Sequence, residues 1–294
     1  MNVTVALPIL FALFVGSAAV AADVRGGVPP GYTARTLTDV PNAAAITTQF
    51  WSPGLNDGYV PQGLTVSGGS LYVAAYKSVS ADQGRGPCRV YRMNSETGAI
   101  TGQLDLPASC GHAGGMARGA VGHIWVADTR DLFEIKLAAA GATEIGSVVR
   151  TVKLTGKVLG SFAAGSDGAI WLGGYDKEPG RQLYKFALNN PKPVWNETDA
   201  LAALPVPDKA QGAAFDARGQ LWLTRSGGSF GELVSADPTT GAIVARYRMP
   251  AGIEDISFDD KGQLWAVSEA GSQRWSSWET FFPVVFRLDL KRLR

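Results

Sequence analysis

The chain has 294 residues, with 27 basic and 26 acidic side chains and a formal net charge of +1. Charge this balanced, with no run of either sign, excludes the electrostatic footprint of a nucleic-acid binder or of a protein held on anionic lipid. Hydrophobic residues make up 46% of the chain, enough for one large core, and an all-β ring of this length is common as a single domain.

Residues 1–22, MNVTVALPILFALFVGSAAVAA, form an apolar run ending in small residues, and the first charge comes at Asp23. This pattern predicts a secretory signal peptide cleaved after Ala21 or Ala22, with an uncleaved anchor as the alternative. A soluble secreted or periplasmic protein is expected, with no membrane association after cleavage. Residues 23–43 read as an extended N-terminal segment and 44–294 as a single domain. Cys88 and Cys110 are the only cysteines; an even count in an exported chain points to one disulfide, and two free buried thiols remain the alternative.

From residue 69 onward a pattern recurs: Gly69-Ser70-Leu71-Tyr72-Val73, Gly122-His123-Ile124-Trp125-Val126, Gly168-Ala169-Ile170-Trp171-Leu172, Gly219-Gln220-Leu221-Trp222-Leu223 and Gly262-Gln263-Leu264-Trp265-Ala266. The five copies stand 53, 46, 51 and 43 residues apart, the spacing of β-propeller blades. Before each glycine comes a short apolar segment and a turn, as in Asp216-Ala217-Arg218-Gly219. The strand after it is apolar at consecutive positions, so both faces are buried. Third strands are expected at Arg89–Met93, Leu132–Leu137, Leu183–Leu188, Glu232–Ala236 and Val284–Leu290. Fourth strands follow a Thr-Gly turn at Ala99–Leu106 and Ala242–Met249. The last repeat ends after its third strand, and Ala45–Phe50 resembles Ala242–Tyr247. The N-terminus is therefore expected to supply the missing outer strand and close the ring. The prediction is an all-β, five-bladed propeller, or a six-bladed one if residues 31–58 form a degenerate blade.

This repeat sorts polar residues by end. Gln62, Gly114, Gly160, Gln211 and Glu254 enter the innermost strands at one mouth of the channel, with Asp255 and His112 beside them. Tyr76, Lys77, Asp128, Arg130, Tyr175, Asp176, Arg225 and Glu269 leave second strands toward the same end. Cys88 and Cys110 fall there too, which favours their pairing and would pin the loop Ser78–Pro87 beside His112. Asn94, Asp216, Asp237, Asp259 and Asp260 fall at the opposite end as turn formers.

Three kinds of chemistry are open at the mouth. Glu254, Asp255 and His112 are candidate acid/base groups. Glu254, Asp128 and Asp176 are candidate ligands for a divalent cation such as Ca²⁺, unless these carboxylates pair with Arg130, Arg225 or Lys77. Gln62, Gln211, Tyr76, Arg130, Tyr175, Arg225, Glu269, Trp275 and Trp278 are candidate ligand contacts. The aromatic stretch Trp275–Phe282 reads either as a shelf for a sugar ring or a partner's side chain, or as a lid packed on the neighbouring blade. Zinc-ligand spacing and a Gly-x-Ser-x-Gly nucleophile elbow are both missing from the sequence.

With the Gly-x-Leu-Trp repeat, the chain resembles the NHL and gluconolactonase/regucalcin-like propellers. That resemblance implies a divalent metal held in the channel by Glu, Asn and Asp. Where that family opens strands with Asn-Gly and Pro-Asp-Gly, this chain has Gln211-Gly212 and Glu254-Asp255. Pro61-Gln62-Gly63-Leu64 is also similar to the Gln-Gly-Leu opening of plant-type glutaminyl cyclases, which are secreted and five-bladed; their strand-2 acid is replaced here by Ala74 or Ala75. The expected function is binding of a small polar molecule, or of a peptide or sugar segment, at the channel mouth by a monomer. The alternatives are a metal-assisted lactone or ester hydrolase, a glutaminyl-cyclase-like cyclotransferase, and an interaction scaffold using loop 273–283.

Overall fold

Each repeat glycine sits in the left-handed region, at φ 74° for Gly69, 76° for Gly122, 73° for Gly168, 78° for Gly219 and 73° for Gly262. Only glycine takes that conformation without strain, so it marks the hairpin turn into the second strand of every sheet. In the computed structural model, which describes residues 23–294, these second strands are Ser70–Lys77, His123–Asp128, Ala169–Gly173, Leu221–Gly227 and Leu264–Ser268. The expected signal peptide, 1–22, lies outside the described residues.

The innermost strands are Tyr59–Ser67, Gly115–Arg118, Phe162–Ser166, Ala210–Phe215 and Ile253–Phe258. Each contacts the next, and the fifth returns to the first. The protein is a five-bladed β-propeller; blades I–V are numbered in chain order. Residues 31–58 do not form a sixth blade: they hold two 3₁₀ turns and the strand Ile46–Trp51. That strand pairs antiparallel with Val284–Leu288, matching Phe50 with Val285 and Trp51 with Val284, and so closes blade V. A three-residue strand, Val24–Gly26, then adds in parallel outside it, within the segment expected to be merely extended. Val194–Trp195 does the same for blade II, so two outer edges carry short parallel covers.

The consecutive apolar residues of the second strands fill the spaces between blades. Trp125 and Trp265 are buried, Phe50 stacks on Trp265 at 6.1 Å between centroids, and Trp171 meets Phe215 of the next blade at 5.4 Å. Burial of each such side chain is worth about 1.5–3 kcal/mol. Cys88 and Cys110 form the disulfide, with Cα atoms 5.7 Å apart, and tie the third strand of blade I to the entry of blade II. No helix among the described residues is long and apolar enough to cross a membrane.

At the axis the inner strands come unusually close. A Cβ at Gly63 would lie 2.8 Å from Met116 Cγ, one at Gly115 2.4 Å from Ala163 N, and one at Gly212 2.6 Å from Asp255 Cα. In the equivalent position of blade V stands Asp255, fully buried at 0% exposure. Its Oδ2 accepts the amide N–H of Leu64 at 2.9 Å and of Met116 at 2.8 Å, the residues that follow Gly63 and Gly115. The amides of Ile256 and Ala213 also favour its charge, against a burial that pushes its carboxyl well above the usual range. Asp255, expected among the catalytic candidates, ties blades V, I and II together at the axis.

Asp255→Ala strands two buried amides on the axis and is expected to cost about 2–5 kcal/mol in urea unfolding, with Asp255→Asn, which keeps an acceptor, costing less. A wild-type unfolding midpoint in the alanine variant would show that the strands do not depend on this tie.

Candidate functional site

Inner strands of blades I, IV and V each break register at the mouth, between Pro61 and Gly63, between Ala210 and Gly212, and between Ile253 and Ile256. The residues in those irregularities are Gln62, Gln211 and Glu254 with Asp255. A bulge re-aims the extra side chain, which is how three residues from separate blades turn into one space. Gln211 donates from Nε2 to Glu254 Oε1 at 3.1 Å, and Gln62 donates from Nε2 to Glu269 Oε2 at 2.7 Å. Trp275 donates its indole N–H to the same Glu269 oxygen at 2.6 Å.

Glu254 and Glu269 hydrogen-bond each other and are 1% and 7% exposed. Burial pushes both carboxyls up. Glu269 rises to about 7, with the donors Trp275, Glu254 and Gln62 and the charge of Arg85 working against the burial. Glu254 is raised well above the usual range by burial and by its neighbour's charge. Two carboxyls this close resist ionising together, and their titration belongs to the pair.

Around the pair lie Tyr76 and Tyr175, whose hydroxyls stay protonated because burial comes first and the pair's charge adds to it. The His112 ring lies 5.9 Å from the Tyr76 ring. Burial, followed by the charge of Arg85, pushes His112 down to about 3. Burial therefore favours the neutral imidazole at the mouth.

The aromatic stretch forms a lid. Trp275 and Trp278 stack at 4.8 Å between centroids, and Trp278 lies against Gly228 and Gly252. Arg274 clips the lid to loop 78–87 through the carbonyls of Ser80 at 2.7 Å, Gln83 at 2.9 Å and Ala81 at 3.0 Å. From the N-terminal segment, Arg35 donates to the carbonyls of Ser276 (2.8 Å), Trp278 (2.9 Å) and Glu279 (2.6 Å). An open aromatic shelf is not what these contacts build.

Several expected ligand contacts are spent elsewhere. Asp128 caps the loop before blade II, accepting the amides of Gly111, His112 and Ala113. Asp176 pairs with Arg181 at 2.9 Å. Arg130 donates to the carbonyls of Gly156 and Val158 at 3.2 and 3.0 Å, and Arg225 is held by Asp208 at 2.6 Å and by Glu232. The trio Glu254, Asp128 and Asp176 is accordingly not assembled into a cation site. Among the described residues, one set of three potential ligands lies within 4.8 Å of one another, Cys88, Cys110 and Asp128. Both of its sulfurs are committed to the disulfide and are no longer thiolates, so this set does not suit a metal.

Sequence reasoning missed Arg85, Arg274 and Arg35. The only available signal for Arg85 was its place in Gly84-Arg85-Gly86-Pro87, directly before a cysteine at the working end.

Two cavities lie elsewhere. One of about 520 Å³ opens at the turn end, lined by Arg118, Trp171, Phe215, Asp216, Asp259 and Asp260. Three of its acids are engaged: Asp216 and Asp259 accept turn amides as expected, whereas Asp260 pairs with Arg118 at 2.6 Å. Another, of about 830 Å³, lies outside blades I and II beside Tyr72, Arg92 and His123. Neither reaches the acid pair, and the perturbed, convergent groups at the mouth mark the candidate site instead.

No family model and no curated protein matches the chain. Solved structures do. Glutaminyl cyclase from Myxococcus xanthus superposes with a TM-score of 0.57 at 13% identity, covering 83% of this chain and 94% of the cyclase. The fold is shared. PQQ-bound aldose sugar dehydrogenase from Streptomyces coelicolor gives 0.49 at 14% identity, over 78% and 94% of the two chains. The calcium-binding regucalcin from Agrobacterium tumefaciens gives 0.44 at 13%, over 79% and 92%. Likeness at these identities speaks for the propeller and not for an activity.

The acid pair sets a pH dependence. Native Glu269 holds its proton to about pH 7, whereas the unfolded side chain releases it near 4.5. The native state therefore binds more protons across that window, and the pair's contribution to stability is present below it and is lost as pH rises through about 7. His112, depressed from 6.5 to about 3, acts with the opposite sign below 6.5. The difference between wild type and Glu269→Gln isolates the pair. The variant is expected to gain on the wild type from pH 5 to pH 8 by a few kcal/mol in denaturant unfolding; parallel profiles would contradict a perturbed pair.

Proposed function

We propose that this propeller binds a small polar molecule at the channel mouth and that Glu254 and Glu269 exchange a proton with it. The observation that carries this reading is the buried carboxyl pair, hydrogen-bonded to each other and oriented by Gln62, Gln211 and Trp275. Two carboxyls sharing one proton present a base and an acid at one point. The ionised oxygen activates water, and the protonated one protonates the departing or developing oxygen; addition of water to a carbonyl needs both. A pKa near 7 suits transfer at neutral pH. The reaction class is hydrolysis of a small lactone or ester, with the Trp275 lid lifting off Glu269 to admit it. The disulfide supports an extracytoplasmic setting, and the balanced charge and inward-turned lid support action on a small molecule as a monomer rather than as a protein scaffold.

A second reading rests on the same side chains. Gln211, Glu254, Glu269 and Gln62 form one contiguous chain, and rotation of either carboxamide would present oxygen in place of N–H. Four such side chains and water could coordinate a divalent cation, which would polarise the carbonyl. As the carboxamides stand, nitrogens face the carboxylates, an arrangement that suits a proton better.

With a lactone and ester panel, Glu254→Gln and Glu269→Gln are each expected to lower turnover by about 10²–10⁴-fold while the fold, read by circular dichroism, persists. Calcium, magnesium and manganese titrations followed by melting temperature separate the readings. A rise that both glutamine variants abolish favours the cation, and turnover that survives chelation favours the proton pair. If both variants retain wild-type turnover, the pair is not the site of chemistry.

A further inference from the structure

Once the pair has taken Gln62, Gln211 and Trp275, two polar groups at the same mouth remain without a task. The Arg85 guanidinium is exposed and makes no ion pair or hydrogen bond among the described residues; it lies 5.2 Å from the centroid of the Tyr76 ring. Its charge nevertheless reaches Glu254, Glu269 and His112. His112 supplies the second group: its Nδ1 is buried without a partner. The imidazole occupies the space that Gly114 leaves open in the ring of mouth positions, since a Cβ there would fall 2.6 Å from His112 Cε1 and 2.7 Å from Nδ1. A buried ring nitrogen without a partner is rare enough to require an explanation.

The loop that carries Arg85 is fastened. The Cys88–Cys110 bridge follows it, Gly86 donates its N–H to the carbonyl of Lys77 at 3.1 Å, and Arg274 binds the carbonyls of Ser80, Ala81 and Gln83. Arg85 is therefore a cation at the mouth with its donors unspent, carried on a backbone that is already ordered. A planar fork of N–H groups fits a carboxylate in bidentate fashion better than any neutral partner. The acid pair already accepts three N–H donors, and none of them comes from Arg85.

We propose that the ligand is a small hydroxy acid or sugar acid whose carboxylate is held by Arg85. This rests on the mouth being the ligand site, not on the proton transfer itself. Arg85 then determines specificity.

The test pairs glycolate, lactate, gluconate and glucuronate with their own carboxamides, measured by melting temperature and calorimetry. At least one carboxylate is expected to bind at least tenfold more tightly than its carboxamide. Arg85→Gln should erase that preference, and Arg85→Lys should restore part of it. Glu254→Gln should keep it, so that loss of turnover and loss of anion recognition remain separate outcomes. Equal binding of the two members of every pair, no binding by any of them, or an undiminished preference in Arg85→Gln overturns the proposal.

Discussion

A single carboxylate on the axis sets the geometry of everything around it. Gly63, Gly115 and Gly212 clear the centre of the ring so that inner strands can approach to distances no Cβ allows. Into that space blade V sends Asp255, whose Oδ2 takes the amides of Leu64 and Met116 from blades I and II. These inner-strand amides face the axis rather than a neighbouring strand's carbonyl. In a dry centre each would otherwise remain unpartnered, and the carboxylate itself would stand without compensation. Glycine elsewhere and aspartate here are two halves of one solution: the first removes bulk, the second supplies the acceptor.

The chemistry of the mouth follows from that tie. Glu254 precedes Asp255 in an irregular stretch of the inner strand, so anchoring one carboxylate at the axis fixes where the other is aimed. Gln62 and Gln211 occupy the corresponding irregularities one residue before their own axial glycines. Glu269 arrives from the second strand of the same blade and completes the pair. Burial raises both carboxyls, and the donors around them keep the proton shared rather than expelling it. The pairing of Ile253 with Ser268 within blade V is what sets the two acids side by side.

What the sequence reveals and what it hides divide along the repeat. Blade number, the closing strand, the disulfide and the meeting of Gln62, Gln211 and Glu254 at one end all follow from spacing, because each blade repeats the same path. Lateral pairing between loops has no period and left no trace. Asp128 looks like a ligand until the amides of residues 111–113 are found around it, and Arg225 looks free until Asp208 and Glu232 appear on either side. Asp255 was legible in principle: it is the one acid where the other blades carry Gly63, Gly115, Ser161 and Gly212, which marks a side chain crossing shared space rather than one facing solvent. Arg85 was not, since its meaning lies in the partners it lacks.

The N-terminal segment gives the mouth one further property. Tyr32 donates its hydroxyl to Gly271 O at 2.7 Å, Thr38 Oγ1 accepts the Phe281 amide at 2.9 Å, and Arg35 takes the three lid carbonyls. Residues beyond this segment then become the strand that closes blade V. One stretch of chain therefore fastens both the ring and the lid above the acid pair. Lifting Trp275 from Glu269 must break contacts made by a segment that is itself anchored in the ring seam. Access to the carboxyl pair is in this way tied to the same closure that makes five sheets a propeller.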